Sequence, residues 1–324
     1  MKFLIFGAGV LGSYYAARLH EAGEDVTLLA RGKRYDDLVR HGVMLEHFKT
    51  GKEETVHVKT VDQMPAEEAF DVCVVLVQNH QLPGALDIIK TSRNISTYLI
   101  MTNFVKGPDE ILDQLENEKV MIGHVNAGGE RDGPVVKYMV SQAMTLGELS
   151  GRKTKRLADI SEAFKNAGFP VEISHNIDAW KRHHMALLLP VCHAMYLCGS
   201  CNYELSRNKA AMQQAMKGSE QAMNMLDRNG YPVEPAKLKS LFKMPSSLLV
   251  FIFRKIMGTK LMDIGGARHA RNARDEVMKL SKDLIVLADE WNESIPAVRE
   301  LYQRVIESET GSDAVISQSE KTAS

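Results

Sequence analysis

Apolar residues follow two different rhythms along the chain, and the change of rhythm divides it. In the first half they come in short, near-continuous runs at 2–6, 25–30, 71–77, 97–101 and 119–125. Runs of this length, bounded by polar or glycine-bearing segments, predict strands of a parallel sheet covered on both faces. Between the first two runs, Leu11, Tyr15 and Leu19 recur at helical spacing and Gly23 ends the stretch. Strand, turn, helix and strand make a βαβ unit with a right-handed crossover. A second helix is predicted over 109–115. Extended segments at 43–48 and 55–61 flank Thr50-Gly51 and predict a hairpin, and 135–148 alternates like an antiparallel addition.

Beyond about residue 175 the rhythm is helical, at 178–197, 205–229, 235–257 and 272–292. Met212, Met216 and Met223 share one helical stretch and read as core packing. The tail is rich in Ser, Thr and Glu without apolar periodicity, which predicts disorder. The expected fold is α/β: an N-terminal Rossmann-type doubly wound sheet over 1–175, an all-helical C-terminal domain over 176–308, and a disordered tail over 309–324.

The 324 residues suit two domains, and the net charge of -1 gives no electrostatic reason to expect nucleic acid or a membrane surface as partner. The apolar stretch at 248–253 is followed at once by Arg254 and Lys255, far short of the roughly 20 residues that a bilayer requires. The first apolar run is short and ends in a glycine turn, unlike a secretory leader. These features predict a cytoplasmic protein. Cys198-Gly199-Ser200-Cys201 is a CxxC without a second pair, so it reads as a turn after a helix and no metal site is expected.

Candidate chemistry begins at Gly7-Ala8-Gly9-Val10-Leu11-Gly12, a GxGxxG pattern placed between a predicted strand and a predicted helix. Gly7 permits a tight turn, Gly9 lets the backbone approach a pyrophosphate, and Gly12 lets helix and strand pack closely. The helix N-terminus then offers free N–H groups to the phosphates. At the end of the second predicted strand, a site preferring NADH carries a carboxylate for the ribose 2′-hydroxyl. This chain has Ala30-Arg31-Gly32-Lys33-Arg34 there. Arg31 can form a fork on a 2′-phosphate, so the expected cofactor is NADPH.

From these residues onward the chain resembles the ketopantoate reductase (2-dehydropantoate 2-reductase) family, within the wider 6-phosphogluconate-dehydrogenase-like folds. The resemblance rests on the glycine loop followed by Arg31, on 99–103 ending in Asn103, and on Arg131-Asp132-Gly133. It continues through Ala179-Trp180-Lys181-Arg182, Asn202-Tyr203-Glu204-Leu205, and Glu276 with Ile295-Pro296 downstream. It implies NADPH-dependent reduction of a small α-keto acid or related carbonyl compound, with substrate held between two domains. The implied cofactor set is Gly7 to Gly12, Arg31, Gln78 and Asn103. The implied catalytic set is Lys181, Glu276 and Asn103, in which Lys181 protonates the carbonyl oxygen; a desolvated lysine has a lowered pKa and donates more readily. Asn202 is the implied substrate ligand, and His184, one turn from Lys181, is a further candidate for that role.

Counting back from Pro190 selects Lys181, whereas counting forward from Trp180 selects Arg182. Lys181 is preferred because a guanidinium is a poor proton donor. Where the family carries amides on this helix, the chain has Met185 and Leu189, and Phe104 stands where the family has glycine. Loss of those polar partners argues against ketopantoate itself as substrate. His183, His184, His193 and His269 are alternative acids or carboxylate ligands, each also explicable as packing or surface. A non-catalytic NADPH-binding sensor is the competing reading, and a homodimer is the expected assembly.

Overall fold

The short apolar runs become strands of one sheet. The structure, a computed structural model, describes every residue except Asn126, Ser141 and 322–324, and no side chain is described for His269 or from 310 onward. The strands are β1 (Lys2–Phe6), β2 (Asp25–Leu29), β3 (Val43–His47), β4 (Glu53–Val56), β5 (Lys59–Val61), β6 (Phe70–Val75), β7 (Ile95–Ile100), β8 (Val120–His124), β9 (Ala127–Asp132), β10 (Val135–Val140), β11 (Met144–Gly147) and β12 (Val171–Ile173). Among the described residues, eight of them form a sheet in the order β12-β11-β8-β7-β6-β1-β2-β5. From β5 through β8 every pairing is parallel. Strand order reverses at β1, which has β2 on one side and β6 on the other, as in a doubly wound sheet.

Strand β1 shows why its sequence is apolar without interruption. Phe3 and Ile5 pack on one face with Tyr15, Leu19 and Phe164. Leu4 and Phe6 pack on the other with Leu86, Ile89 and Ile100. Alternate side chains thus enter two separate cores. Helix Val10–Glu21 lies on the first face and helix Leu82–Ile89 on the second. Cys73 on β6 belongs to the second core, is fully buried, and has its thiol pKa driven up by that burial.

The remaining strands form a second sheet, β4-β3-β10-β9. The predicted extended segment at 55–61 is split. Its first part falls in β4, antiparallel to β3, while β5 leaves the hairpin and pairs in parallel with β2. The expected antiparallel addition at 135–148 is likewise divided, since β10 pairs with β9 and β3 whereas β11 joins β8. The second sheet faces helix Val10–Glu21. Tyr14 stacks on Tyr138 with ring centroids 4.2 Å apart. The Arg18 guanidinium lies over both rings, donates to the Tyr138 hydroxyl at 2.8 Å and pairs with Glu54.

The chain separates into two compact units, Met1–Lys181 and Arg182–Ser324. Among its described residues the second unit is helical throughout. It takes the greater part of helix Ile177–Tyr196, then Asn202–Arg207, Lys209–Arg228, Ala236–Phe242, Ser246–Met257, Arg274–Glu290 and Pro296–Lys321 as its principal helices. The predicted helix at 235–257 is two helices. Pro245 lacks an N–H and disfavours helical geometry at Met244, so the chain stops and restarts there. The predicted helix at 205–229 breaks at Asn208, whose side chain accepts from the Ala211 N–H at 3.0 Å and caps the second part. Met212, Met216 and Met223 are buried, as core residues should be. The segment 309–324, expected as a disordered tail, is described as the last turns of helix Pro296–Lys321 as far as Lys321, and 322–324 lie outside the described residues. No helix among the described residues is long and apolar enough to cross a membrane.

Candidate functional site

The glycine loop sits where β1 ends, at the reversal point of the sheet. Each glycine has its own physical reason. Gly7 has φ 110, and a Cβ there would lie 2.6 Å from the Leu76 carbonyl oxygen. A Cβ on Gly12 would lie 1.7 Å from the Gly7 carbonyl oxygen, so helix and loop touch backbone to backbone. Gly9 differs from both. Its φ of -72 suits any residue, and no atom lies within 4 Å of where its Cβ would be. The fold therefore does not require glycine at this position, and open space lies above it. Gly9 is the N-cap of helix Val10–Glu21, which has neither a side-chain cap nor an acidic residue in its first turn. Val10 and Leu11 pack partly into the core beneath. Ala8 is buried, and its carbonyl accepts from the Ser13 hydroxyl at 3.2 Å. The helix start thus presents N–H groups and a positive dipole end toward the space above Gly9, a geometry that suits a phosphate.

After β2 the basic cluster separates into two environments. Arg31 and Lys33 are exposed. Arg34 is buried and reaches back to the glycine loop, donating from Nε to the Ala8 carbonyl at 3.1 Å. The sequence expectation singled out Arg31. Arg34 was visible in the same cluster, but nothing local distinguished it as the inward-facing member.

The carboxyl ends of β6 and β7 carry the second half of the constellation. The Gln78 backbone N–H donates to Gln81 Oε1 at 3.3 Å and starts the short turn Asn79–Gln81. Asn79 is buried and donates from Nδ2 to the Asn103 carbonyl at 2.7 Å. Thr102 donates to the Val77 carbonyl at 2.9 Å. Lys181 has no exposed surface; its Nζ donates to the Met101 carbonyl at 3.2 Å and lies 5.6 Å from the Phe104 ring centroid. The structure thus brings Gln78, Asn103, Phe104 and Lys181 to one end of the sheet. Neither Asn79 nor the packing of Phe104 on Lys181 was anticipated. Their signals, an Asn after the strand and an aromatic beside Asn103, are too common to identify from sequence.

The neighbouring cation, Arg182, is placed otherwise. It is buried in the helical unit, with its guanidinium 4.0 Å from the Tyr231 ring centroid, and Tyr231 in turn stacks on Trp291. One helical step separates a lysine at the sheet end from an arginine in an aromatic stack. In the helical unit, Glu276 is buried in the first turn of helix Arg274–Glu290. His184 is half-buried, whereas His183 and His193 are fully buried. The His269 side chain lies outside the described residues. Asn202, the expected substrate ligand, is buried and engaged within the helical unit. Its Nδ2 donates to the Met257 carbonyl at 2.7 Å and the Thr259 carbonyl at 3.3 Å, which makes it an internal tie at the end of helix Ser246–Met257.

Comparison with known proteins gives consistent matches. Residues 3–151 match the family model described as Ketopantoate reductase PanE/ApbA. An uncharacterized oxidoreductase, YkpB, of Bacillus subtilis is 27% identical over 191 residues, covering 56% of this chain and 61% of that protein. A 2-dehydropantoate 2-reductase of Pyrococcus horikoshii is 26% identical over 183 residues, covering 56% of this chain and 58% of that protein. The chain thus spans about three fifths of the length of these curated relatives. The solved ternary structure of D-mandelate dehydrogenase with NADH and anilino(oxo)acetate shares the fold, with a TM-score of 0.77 at 17% identity over 96% of this chain and 99% of that one.

Proposed function

We propose, from the premise that this chain belongs through residues 3–151 to the ketopantoate reductase family, that it is an oxidoreductase that uses NADPH to reduce the carbonyl of an α-keto acid or related compound to a hydroxyl. The observation that carries this reading is Lys181, a fully buried lysine beside the Asn103 segment, in the same compact unit as the glycine loop.

The residues present fit a dinucleotide. Gly9 leaves open space beside unclaimed helix N–H groups. In the proposal Gly7 to Gly12 hold the pyrophosphate, Arg31 and its basic neighbours hold the adenosine end, and Gln78 and Asn103 lie on the nicotinamide side. A nicotinamide held there would supply the hydride that the carbonyl carbon receives. Lys181 gives its proton to the carbonyl oxygen, so the product is a neutral hydroxyl and the lysine is reprotonated from solvent. Asn103 positions the reacting group, and Glu276 is the proposed acceptor that fixes orientation. His184 is the candidate ligand for a substrate carboxylate. Met185 and Leu189 are buried and apolar where the family carries amides, which supports a substrate other than ketopantoate. A cytoplasmic homodimer remains part of the proposal.

The test is single-turnover oxidation of bound NADPH against a panel of α-keto acids, followed by Lys181→Met. Turnover of some acid, reduced about 10²–10⁴-fold in the variant with NADPH affinity kept, is the expected result. The missing amides favour one competing reading, a NADPH-binding sensor. Tight binding without turnover across the panel would select that reading.

A further inference from the structure

Arg34 carries more than its place in a basic turn. It is 8% exposed, at the second position of helix Lys33–His41. Its guanidinium donates from Nε to the Ala8 carbonyl at 3.1 Å, from Nη1 to the Pro134 carbonyl at 3.0 Å and from Nη2 to the Ser13 hydroxyl at 2.8 Å. All three acceptors are neutral. Among the described residues no carboxylate is bonded to it, and Asp37 acts on it only through space. Burial, then the charge of Arg131, pushes its pKa down to about 10, which leaves it cationic at neutral pH. A buried cation hydrogen-bonded to neutral acceptors alone is an unfinished electrostatic arrangement.

Arg131 approaches from another part of the fold. It lies on β9, next to the turn that carries Pro134, and Pro134 is bonded to Arg34. The Arg131 side chain is exposed and makes no hydrogen bond or ion pair among the described residues, while its backbone belongs to the β9–β10 ladder. The β9–β10 turn and the glycine loop are therefore joined through one guanidinium, with a second beside it. Exposed Arg31 and Lys33 flank the same region, and helix Lys33–His41 starts there without a side-chain cap. Like charges gathered without an anion destabilise the empty site and favour a dianion between them. The place is the end of β2, where a Rossmann-type sheet reads the adenosine ribose.

We infer that Arg34 and Arg131 together form a preformed site for a phosphate monoester, the 2′-phosphate of the dinucleotide, and that Arg131 is a determinant of cofactor specificity contributed by the β9–β10 turn. This assignment rests on the NADPH reading above. Arg34 also braces the Ala8 carbonyl, so occupancy of the phosphate site and the set of the glycine loop are linked through one side chain. Arg131 has no such structural task, and this makes it the cleaner probe.

The experiment is fluorescence titration of the full chain with NADPH and with NADH, alongside competition by 2′-AMP and 5′-AMP, for wild type, Arg131→Gln, Arg31→Gln and Arg34→Lys. In Arg131→Gln, NADPH binding is expected to weaken about tenfold or more with NADH affinity unchanged, and the wild-type preference for 2′-AMP over 5′-AMP to collapse. In Arg34→Lys, NADPH binding weakens and the melting temperature falls as well. Equal loss for both cofactors in Arg131→Gln, or no loss for either, overturns the inference. So does a preference abolished by Arg31→Gln and untouched by Arg131→Gln. Failure of the underlying reading appears elsewhere, in the wild type, as no preference for NADPH over NADH, and it removes the inference with it.

Discussion

Alanine at Gly9 and at Gly12 should separate folding from binding. At Gly12 the added Cβ would meet the Gly7 carbonyl oxygen at 1.7 Å and its carbon at 2.9 Å, where contacts below 3.0 Å essentially never occur. Backbone must therefore move by more than an ångström. Helix Val10–Glu21 would have to lift away from β1, loosening Tyr15 and Leu19 in the core. Overpacking of this kind costs about 1–3 kcal/mol or more, against roughly 1 kcal/mol regained from helix propensity. At about 2–4 °C per kcal/mol for a unit of this size, the apoprotein should melt several degrees lower. At Gly9 nothing lies within 4 Å and φ is -72. Alanine there changes stability by a few tenths of a kcal/mol, since the poorer cap and the lower chain entropy of the unfolded state nearly offset. It does place a methyl group in the space proposed for the pyrophosphate. NADPH affinity should fall at least about tenfold, equivalent to 1.4 kcal/mol. Thermal unfolding without cofactor and fluorescence titration with NADPH measure the two effects independently. A Gly9→Ala protein that binds NADPH like wild type would refute the assignment of the open space. A Gly12→Ala protein that melts like wild type would refute the packing argument.

Other predictions concern the helical unit. His193 bonds Ser281 at 3.1 Å through Nε2, and its Nδ1 has no partner among the described residues. Burial, then the charge of Arg274, holds its pKa down to about 4 from 6.5. The unfolded chain therefore binds this proton first as pH falls. Stability should be full above about pH 6.5 and decline by about 3 kcal/mol in all toward pH 4. Denaturant unfolding of wild type against His193→Gln isolates the effect, and parallel pH profiles would count against it. Asn202→Ala should lose about 1–3 kcal/mol of stability while NADPH affinity stays constant, because its amide ties two backbone carbonyls. A binding defect without destabilisation would restore Asn202 to the substrate site.

The parallel sheet was legible because burial on both faces writes itself as uninterrupted apolar sequence. Strands β1, β6 and β7 fall where the runs predict them, and the glycine pattern lies at the passage from β1 into helix Val10–Glu21. The second sheet was not legible in the same way. Its strands are half-exposed, and the partners of β10 are set by long-range pairing that no local pattern records. The break at Pro245 could have been read from the proline alone, but continuous apolar spacing on both sides hid it. At the candidate site, residue types were legible and directions were not. Arg31 precedes helix Lys33–His41 and Arg34 is its second residue, and only the tertiary path of the turn between them decides which one points inward. The same holds for Lys181 and Arg182, neighbours in sequence whose side chains end beside Met101 and on Tyr231.

The placement of Cys73 has a practical consequence. It is the one cysteine in the unit Met1–Lys181, it sits in the centre of the main sheet, and its thiolate is strongly disfavoured while the strand is closed. A thiol in that position reacts with a labelling reagent only when the surrounding sheet opens. Peptide-resolved labelling of Cys73 therefore serves as an internal clock for breathing of the unit Met1–Lys181. Slower ticking with added NADPH would report ligation even in a variant that cannot turn over.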